Sequence, residues 1–310
     1  MSGYKYLFGP VPSRRLGASL GVSPIPERTC NYSCVYCQLG RTLRMTNTRQ
    51  EFFPLEEILA EFREYLQGSI PFDVVTVVGE GEPTLYSRLG ELIAGLKKET
   101  DKPVAVITNG ALLYDAEMRR ELMEADIVLP SLDAVTEEQY RKIDRPMGSI
   151  GFAEMAEGLR QFAREYQGQL WIEIMLVDGM NDSPEDIAAF KEFLGTIDYD
   201  RVYLNTPVRP PAEGFVHTSA PERIDLAARE LGGISIDQLT SGSFFSEVED
   251  PYEAILSIAR RHPMNQFEVE SFLEAREIPA DQRQALMERL GQDPGITVVP
   301  YKGIITYRVN

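Results

Sequence analysis

The chain of 310 residues is predicted to be an α/β protein: a partial, TIM-like (β/α)6 barrel followed by a small winged-helix domain. Three observations predict this. Apolar runs of buried-strand length alternate six times with stretches of helical apolar spacing. The alternation stops near residue 246, where short helical segments and a hairpin pattern take over. All three cysteines lie in one short stretch just beyond the first strand, the end at which such barrels carry their chemistry.

Residues 19–25 are the first strand, running into the cysteines. Residues 54–68 read as a helix, with Leu55, Ile58, Leu59 and Phe62 along one face. The run 72–78 (FDVVTVV) has the continuous apolar character of a strand buried on both faces, and a helix over 87–98 follows it. Strands at 103–107 and 127–132 flank a helix at 115–124. A helix at 152–166 returns to a fifth strand at 170–177, and a helix at 184–194 leads to the sixth strand at 202–205. These units make up a first domain, residues 1–245. In the second, 246–310, helices at 252–261, 266–274 and 281–290 precede strands at 296–299 and 304–309, paired across Pro300-Tyr301-Lys302-Gly303. From Asp250 onward nine acidic residues face seven basic ones, which argues against a sequence-specific DNA reader. Docking to a protein, a peptide or the rest of the chain is favoured, with weak RNA contact second.

Hydrophobic residues at 43% and charged residues at 25% describe an ordinary globular chain, not a disordered one. No apolar run approaches the roughly 20 residues that span a bilayer, and the first residues lack a signal-peptide core. A cytoplasmic protein without membrane association is expected. The net charge is -17, yet the first fifty residues carry Lys5, Arg14, Arg15, Arg28, Arg41, Arg44 and Arg49 against Glu27 alone. That basic stretch is either a solvated loop surface or an anion-attracting rim around the cysteines.

Cys30, Cys34 and Cys37 form a C-x3-C-x2-C spacing and are the whole cysteine complement. An odd number of closely packed thiols is a poor disulfide framework and a good ligand set for a soft metal. Three thiolates on a short loop can each bond a different iron of a cubane, leaving the fourth iron open to a ligand. A structural zinc site would want a fourth side chain, and His217 and His262 lie far away in sequence. Zinc and separate free thiols stand as the competing readings. With no further cysteine, a second cluster held by this chain's thiolates is excluded.

The spacing, with aromatic Tyr36 just before the last cysteine, resembles the signature of the radical S-adenosylmethionine (SAM) superfamily. The resemblance implies a 4Fe-4S cluster on Cys30, Cys34 and Cys37, SAM bound to its open iron, and Tyr36 beside the adenine. It implies reductive cleavage of SAM to a 5'-deoxyadenosyl radical that abstracts hydrogen from substrate, oxygen sensitivity, and a reductant such as flavodoxin or ferredoxin. Gly79-Glu80-Gly81-Glu82-Pro83 matches the family's glycine-glutamate motif, which holds the SAM amino group. In isolation the same residues are also a plain strand-to-helix turn. Asn109 ends the third strand, Ser131 and Asp133 the fourth and Asn205 the sixth; such groups suit ribose hydroxyls, the methionine carboxylate or adenine, although turns favour such residues anyway. Glu173 alternates with Ile172 and Ile174, so it faces away from them. It contacts SAM or substrate, or pairs with a nearby arginine. Arg145 and Arg209 either grip an anionic group or make surface ion pairs.

Lys5 to Gly17 and Cys37-Gln38-Leu39-Gly40-Arg41-Thr42 are similar to a radical SAM branch related to wyosine-synthesising tRNA enzymes, over roughly residues 4–240. Archaeal members of that group carry cysteines for a second cluster, which this chain lacks. An unidentified peptide, protein or small metabolite is therefore the expected substrate. Modification of a tRNA base and a non-catalytic iron-sulfur or zinc protein are the alternatives, and no catalytic side chain is singled out.

Overall fold

The computed structural model describes residues 4–68, 70–148, 150–236, 244–246, 248–301 and 303–310. Strand β1 (Leu7–Ser13) turns back into β2 (Gly17–Val22) as an antiparallel pair whose register shifts between Phe8 and Val11. β2 stops short of residue 25 because Pro24 and Pro26 cannot donate to a ladder. Next, β3 (Thr29–Cys30) and β4 (Arg44–Met45) form a two-residue parallel pair that frames the cysteine loop.

The repeating units follow. Helix α1 (Leu55–Tyr65) precedes β5 (Val74–Val77), and α2 (Leu89–Glu99) precedes β6 (Val104–Thr108). Then come α3 (Ala116–Leu122), β7 (Ile127–Pro130), α4 (Glu137–Ile143), α5 (Phe152–Glu165) and β8 (Gln169–Met175). Helix α6 (Pro184–Leu194), β9 (Arg201–Asn205), α7 (Pro221–Leu231) and β10 (Ile234–Ser235) complete the barrel. The start of α6 is fixed by a capping box between Ser183 and Asp186, with Pro184 at the first helical position.

The sheet order is β1-β2-β5-β6-β7-β8-β9-β10, and every neighbouring pair from β2 onward is parallel. The sheet curls into an open half-barrel, as the sequence predicts. It has two strands more than the six expected. β1 contains Pro10 and Pro12 and hides from strand patterning for that reason; such prolines are tolerated because β1 is an edge. β10, at the other edge, is two residues long and carries too little pattern to read.

Two apolar layers follow from strand alternation. Val75, Val77, Val106, Ile172 and Ile174 join residues of α1, α2, α5 and α6, including Phe62, Phe162 and Phe190, in the main core. On the other face, inside the curl, Val74, Ala105, Ile127, Leu129, Trp171 and Tyr203 form a second cluster that fills the barrel floor. The strand ends rise above that floor toward the cysteine loop.

After the barrel come α8 (Pro251–Ala259), β11 (Met264–Asn265), α9 (Gln266–Ala275), α10 (Ala280–Gln292), β12 (Ile296–Tyr301) and β13 (Ile304–Val309). β13 lies between β11 and β12. This helix-strand-helix-helix-hairpin order is that of a winged helix. Tyr252, Ile255, Ile258, Phe272, Leu273 and Tyr307 give it an apolar cluster of its own, against which Val11 of β1 packs. No helix among the described residues is long and apolar enough to cross a membrane.

Candidate radical SAM site

The cysteine loop is moored by backbone hydrogen bonds to elements distant in sequence. Val35 N–H donates to Ile143 at 2.9 Å, Ser33 N–H to Asp144 at 3.1 Å, Met147 N–H to Asn31 at 2.8 Å and Thr46 N–H to Cys30 at 3.1 Å. Cys37 N–H donates to Cys34 and Gly40 N–H to Cys37, both at 3.1 Å, so the chain coils tightly around the last two thiols. Tyr32 and Val35 are buried and anchor the loop from below. All three cysteines are free and half-buried.

Asn109, at the end of β6, reaches this loop. Its Nδ2 donates to Asn31 Oδ1 at 2.7 Å and lies 3.6 Å from Cys30 Sγ, which also accepts from Tyr32 N–H at 3.3 Å. Asn109 is aimed by Glu82. That carboxylate is buried and accepts from Asn109 N–H at 2.8 Å, Thr108 Oγ1 at 2.6 Å, Thr84 N–H at 3.0 Å and Thr84 Oγ1 at 2.6 Å. Burial pushes the Glu82 carboxyl up, and these bonds oppose the shift. Glu82 is thus an internal brace: Oε1 takes the three bonds from Thr84 and Thr108, and Oε2 takes the one from Asn109.

The glycines beside it permit close backbone approach. A Cβ on Gly81 would stand 1.9 Å from the Thr29 carbonyl oxygen, and one on Gly79 would stand 2.2 Å from Ser23 Oγ. Gly81 pairs with Thr29 as a parallel bridge, and Glu82 N–H donates to the same Thr29 carbonyl at 3.1 Å. The glycine-glutamate loop is therefore seated directly against the first cysteine's strand. Glu80 turns its carboxylate the other way, to Arg261 of the C-terminal module at 3.4 Å.

Tyr36 and Asp133 come together: the phenol donates to the Asp133 carboxylate, whose other oxygen accepts Met175 N–H at 2.7 Å. Burial raises the Asp133 carboxyl, while those two donors hold it back. Glu173 faces inward above Trp171, as strand alternation requires. It pairs with Arg15 and accepts from Asn205 Nδ2 at 3.1 Å, so the arginine-pairing alternative is the one the structure displays. Ser131 sits beside Glu173 through a backbone bridge and donates its N–H to Thr108 at 3.0 Å. The sequence-named residues thus gather at the ends of β5, β6, β7, β8 and β9.

Arg145 and Arg209 form ion pairs within the protein, as one of the two readings expected, but these pairs are largely enclosed and not at the surface. Arg145 pairs with Glu213, while Arg209 pairs with Glu268 at 2.8 and 3.0 Å. Sequence reasoning missed Asn31, Asp144 and Glu213, which hold the cysteine loop, and Arg261 and Arg308, which reach the strand ends; Arg15, named only as part of the basic stretch, proves to be the partner of Glu173. Only Asn31, enclosed between two cysteines, carries a local signal.

The residues present fit an iron-sulfur cluster. Three thiols stand on one loop, and the Asn31 Nδ2 donor beside Cys30 is buried without an acceptor, which suits an anionic sulfur group. Among the described residues, no group of three or more His, Cys, Asp or Glu side chains is gathered to hold a single ion. Burial pushes all three free thiols up, so metal binding must displace their protons.

The model of the Radical SAM superfamily matches residues 25–191, more than half of the chain. The chain belongs to the radical SAM superfamily. A UPF0026 protein of Methanocaldococcus jannaschii is 32% identical over 314 residues, covering 98% of this chain and 95% of that protein. A UPF0026 protein of Synechocystis sp. is 38% identical over 205 residues, 66% of this chain and 76% of the other. A protein named GTPase Obg, of Brachyspira hyodysenteriae, is 43% identical over 205 residues; the match spans 66% of this chain but only 30% of that protein's length. Among solved structures, a radical SAM methyltransferase from Sphaerobacter thermophilus superposes with a TM-score of 0.52 at 18% identity, covering 71% of this chain and 67% of that one. Native anSMEcpe with bound AdoMet gives 0.52 at 17% identity, over 69% and 59%. At these identities the likeness is one of fold. As a radical SAM enzyme, the protein uses a 4Fe-4S cluster and SAM, and it needs a reductant.

Proposed function

We propose that Cys30, Cys34 and Cys37 bind the 4Fe-4S cluster at three corners, and that SAM occupies the space bounded by Tyr36, residues 79–82, Asn109, Ser131, Asp133, Glu173 and Asn205. The observation that carries this reading is the clustering of the chain's entire cysteine complement on a moored loop, with the glycine-glutamate loop packed against its first strand. When bound, cluster and SAM supply a 5'-deoxyadenosyl radical for hydrogen abstraction. The chain's own task is placement. Gly79 and Gly81 let backbone carbonyls approach the SAM ammonium, Glu82 fixes Asn109, and Asp133 holds the Tyr36 ring by its hydroxyl. The Arg15–Glu173–Asn205 group closes the space from the barrel floor.

The substrate is a peptide, a protein or a small metabolite, in preference to RNA. Five of the seven cations in the basic first fifty residues have a carboxylate partner: Lys5 has Glu57, Arg15 has Glu173, Arg28 has Glu27, Arg49 has Glu121, and Arg41 has Glu213, which it shares with Arg145. That arrangement leaves little free positive charge to track a phosphate backbone. The chain is divided into a catalytic unit, 1–245, and a docked winged-helix unit, 246–310. Anaerobically reconstituted protein given dithionite and SAM is expected to yield 5'-deoxyadenosine. Deuterium from a labelled extract should enter that product and identify the substrate class. A cluster that forms but never cleaves SAM would overturn the enzymatic assignment to these residues.

A further inference from the structure

Arg261, just beyond α8, lies in a slot between β1 and the loop after β5, with its side chain only 7% exposed. Nη2 donates to the Lys5 carbonyl at 2.7 Å, Nη1 to the Ser257 carbonyl at 3.4 Å, and the guanidinium lies 5.3 Å from the Phe8 ring centroid. Its charge is answered by Glu80, whose Oε2 is 3.4 Å from Nε and whose side chain is 12% exposed. Glu80 stands between Gly79 and Gly81, the two glycines pressed against Ser23 and Thr29. The glycine-glutamate loop is therefore gripped on one side by close backbone approach and on the other by a single ion pair from the C-terminal module.

That module touches two further loops at the strand ends. After β9, Arg209 makes two bonds to Glu268, donates to the Pro263 carbonyl and lies 2.7 Å from His262 Nε2. Arg308 of β13 donates to the Pro210 carbonyl at 2.8 Å, and its Nη1 lies 3.4 Å from where a Cβ on Gly40 would stand, at the close of the cysteine loop. We infer that the C-terminal module is a strut for the SAM-facing loops, with Arg261 the positioning residue that holds residues 79–82 through Glu80. The link to SAM rests on the assignment of that loop proposed above.

A nearly enclosed ion pair is costly to break from one side, because the remaining charge is left without compensation. With a neutral side chain at position 261, Glu80 takes up a proton or swings toward water, and either removes the loop's hold on the side of the C-terminal module while the Gly81–Thr29 bridge remains. The backbone carbonyls that face an ammonium then lose their fixed placement; a misplacement of about 1 Å at such groups can cost on the order of 100-fold in rate.

The test compares wild type with Arg261→Met, Arg261→Lys, Glu80→Gln and the double variant Glu80→Gln/Arg261→Met. Hydrogen–deuterium exchange of peptides covering residues 78–86 is measured on the full-length cluster-free protein, and SAM Kd and iron content on the reconstituted protein. In R261M the amides of Glu80 and Glu82, now bonded to Ser23 Oγ and the Thr29 carbonyl, are expected to exchange faster. The SAM Kd should rise about tenfold, within the range usual for coupling between two sites, at unchanged iron content. R261K should recover most of both losses, and the double variant should fall short of the sum of the single effects. Equal exchange and equal Kd in R261M and wild type would overturn the strut, and faster exchange with an unchanged Kd would overturn its link to SAM. Should R261M not fold, Glu80→Gln reads the same contact from the other side. If wild type itself fails to bind SAM while the exchange difference persists, the site assignment falls and the strut stands.

Discussion

The thiol of Cys34 has little freedom, because Val35 beside it donates to Ile143 and accepts from Glu213 N–H. Each cysteine is therefore expected to be indispensable in place. Cys34→Ala should abolish both the visible absorption of the reconstituted cluster and the formation of 5'-deoxyadenosine; retention of either contradicts the ligand assignment. Gly81 is constrained as tightly. Gly81→Ala places a methyl group 1.9 Å from the Thr29 oxygen, so the loop must shift and lose the Glu82–Thr29 bond. Calorimetry should show a lower Tm than wild type, and SAM should bind more weakly; a variant matching wild type in both would show that the loop is looser than this contact implies. The need for glycine at 81 is legible in sequence, since a strand followed by glycines announces a close approach. The partner of Glu80 is not, because Arg261 looks like any arginine at the end of an amphipathic helix.

The connection from β9 to α7 behaves as a tethered element. Glu213 receives Arg41 at 3.0 and 2.8 Å and also Arg145, which ties the connection to the cysteine loop and to the turn after α4. Those two guanidinium groups hold the Glu213 carboxyl below its ordinary value of 4.5. A depressed folded-state value means that the tether's stabilisation is present above the unfolded-state value and is lost as pH falls through the folded-state one. Glu213→Gln should accordingly lower Tm at pH 7, with the difference from wild type shrinking below about pH 4, where the unfolded glutamate is itself protonated. A Tm gap that stayed constant from pH 7 to pH 3 would rule out the charge as its cause. The element shows where pattern reading stops. Six strands and their helices declare themselves by period, whereas the tether depends on a loop with no period at all. β1 escaped for a related reason, since its prolines imitate a loop until the hairpin with β2 is seen.

Across the whole molecule, the balance of charge argues against nucleic acid. The net charge is -17, and in the basic stretch near the N-terminus Arg15, Arg28 and Arg49 are largely enclosed against carboxylates, while Lys5 and Arg41 pair with carboxylates at the surface. Filter binding of a tRNA mixture should be weak at 50 mM salt and should show no steep decline toward 200 mM, whereas a protein contacting 6 to 10 phosphates loses about 10³ to 10⁵ in affinity over that interval. Steep salt dependence would restore the RNA alternative. The curled sheet is held by one large helix-facing core, so its integrity can be checked independently of chemistry. Phe190, fully buried on α6, should cost about 3–5 kcal/mol when changed to Ala, read from denaturant unfolding. A cost below ~1 kcal/mol would place α6 outside the core.

Local chemistry carried the barrel class, the order of its central units, the winged-helix elements and the identity of the cysteine loop. Each depends on residues near one another in the chain: thiols at fixed spacing, glycines before a glutamate, apolar residues at period two or 3.6. Folding alone revealed that Glu82 spends its oxygens on Thr84, Thr108 and Asn109, that Glu173 answers Arg15, and that Glu80 faces Arg261. An ion pair leaves no mark on the sequence around either partner, because its energy depends on distance and enclosure in space. Both are set only once the sheet has curled and the C-terminal helices have come to rest on its rim.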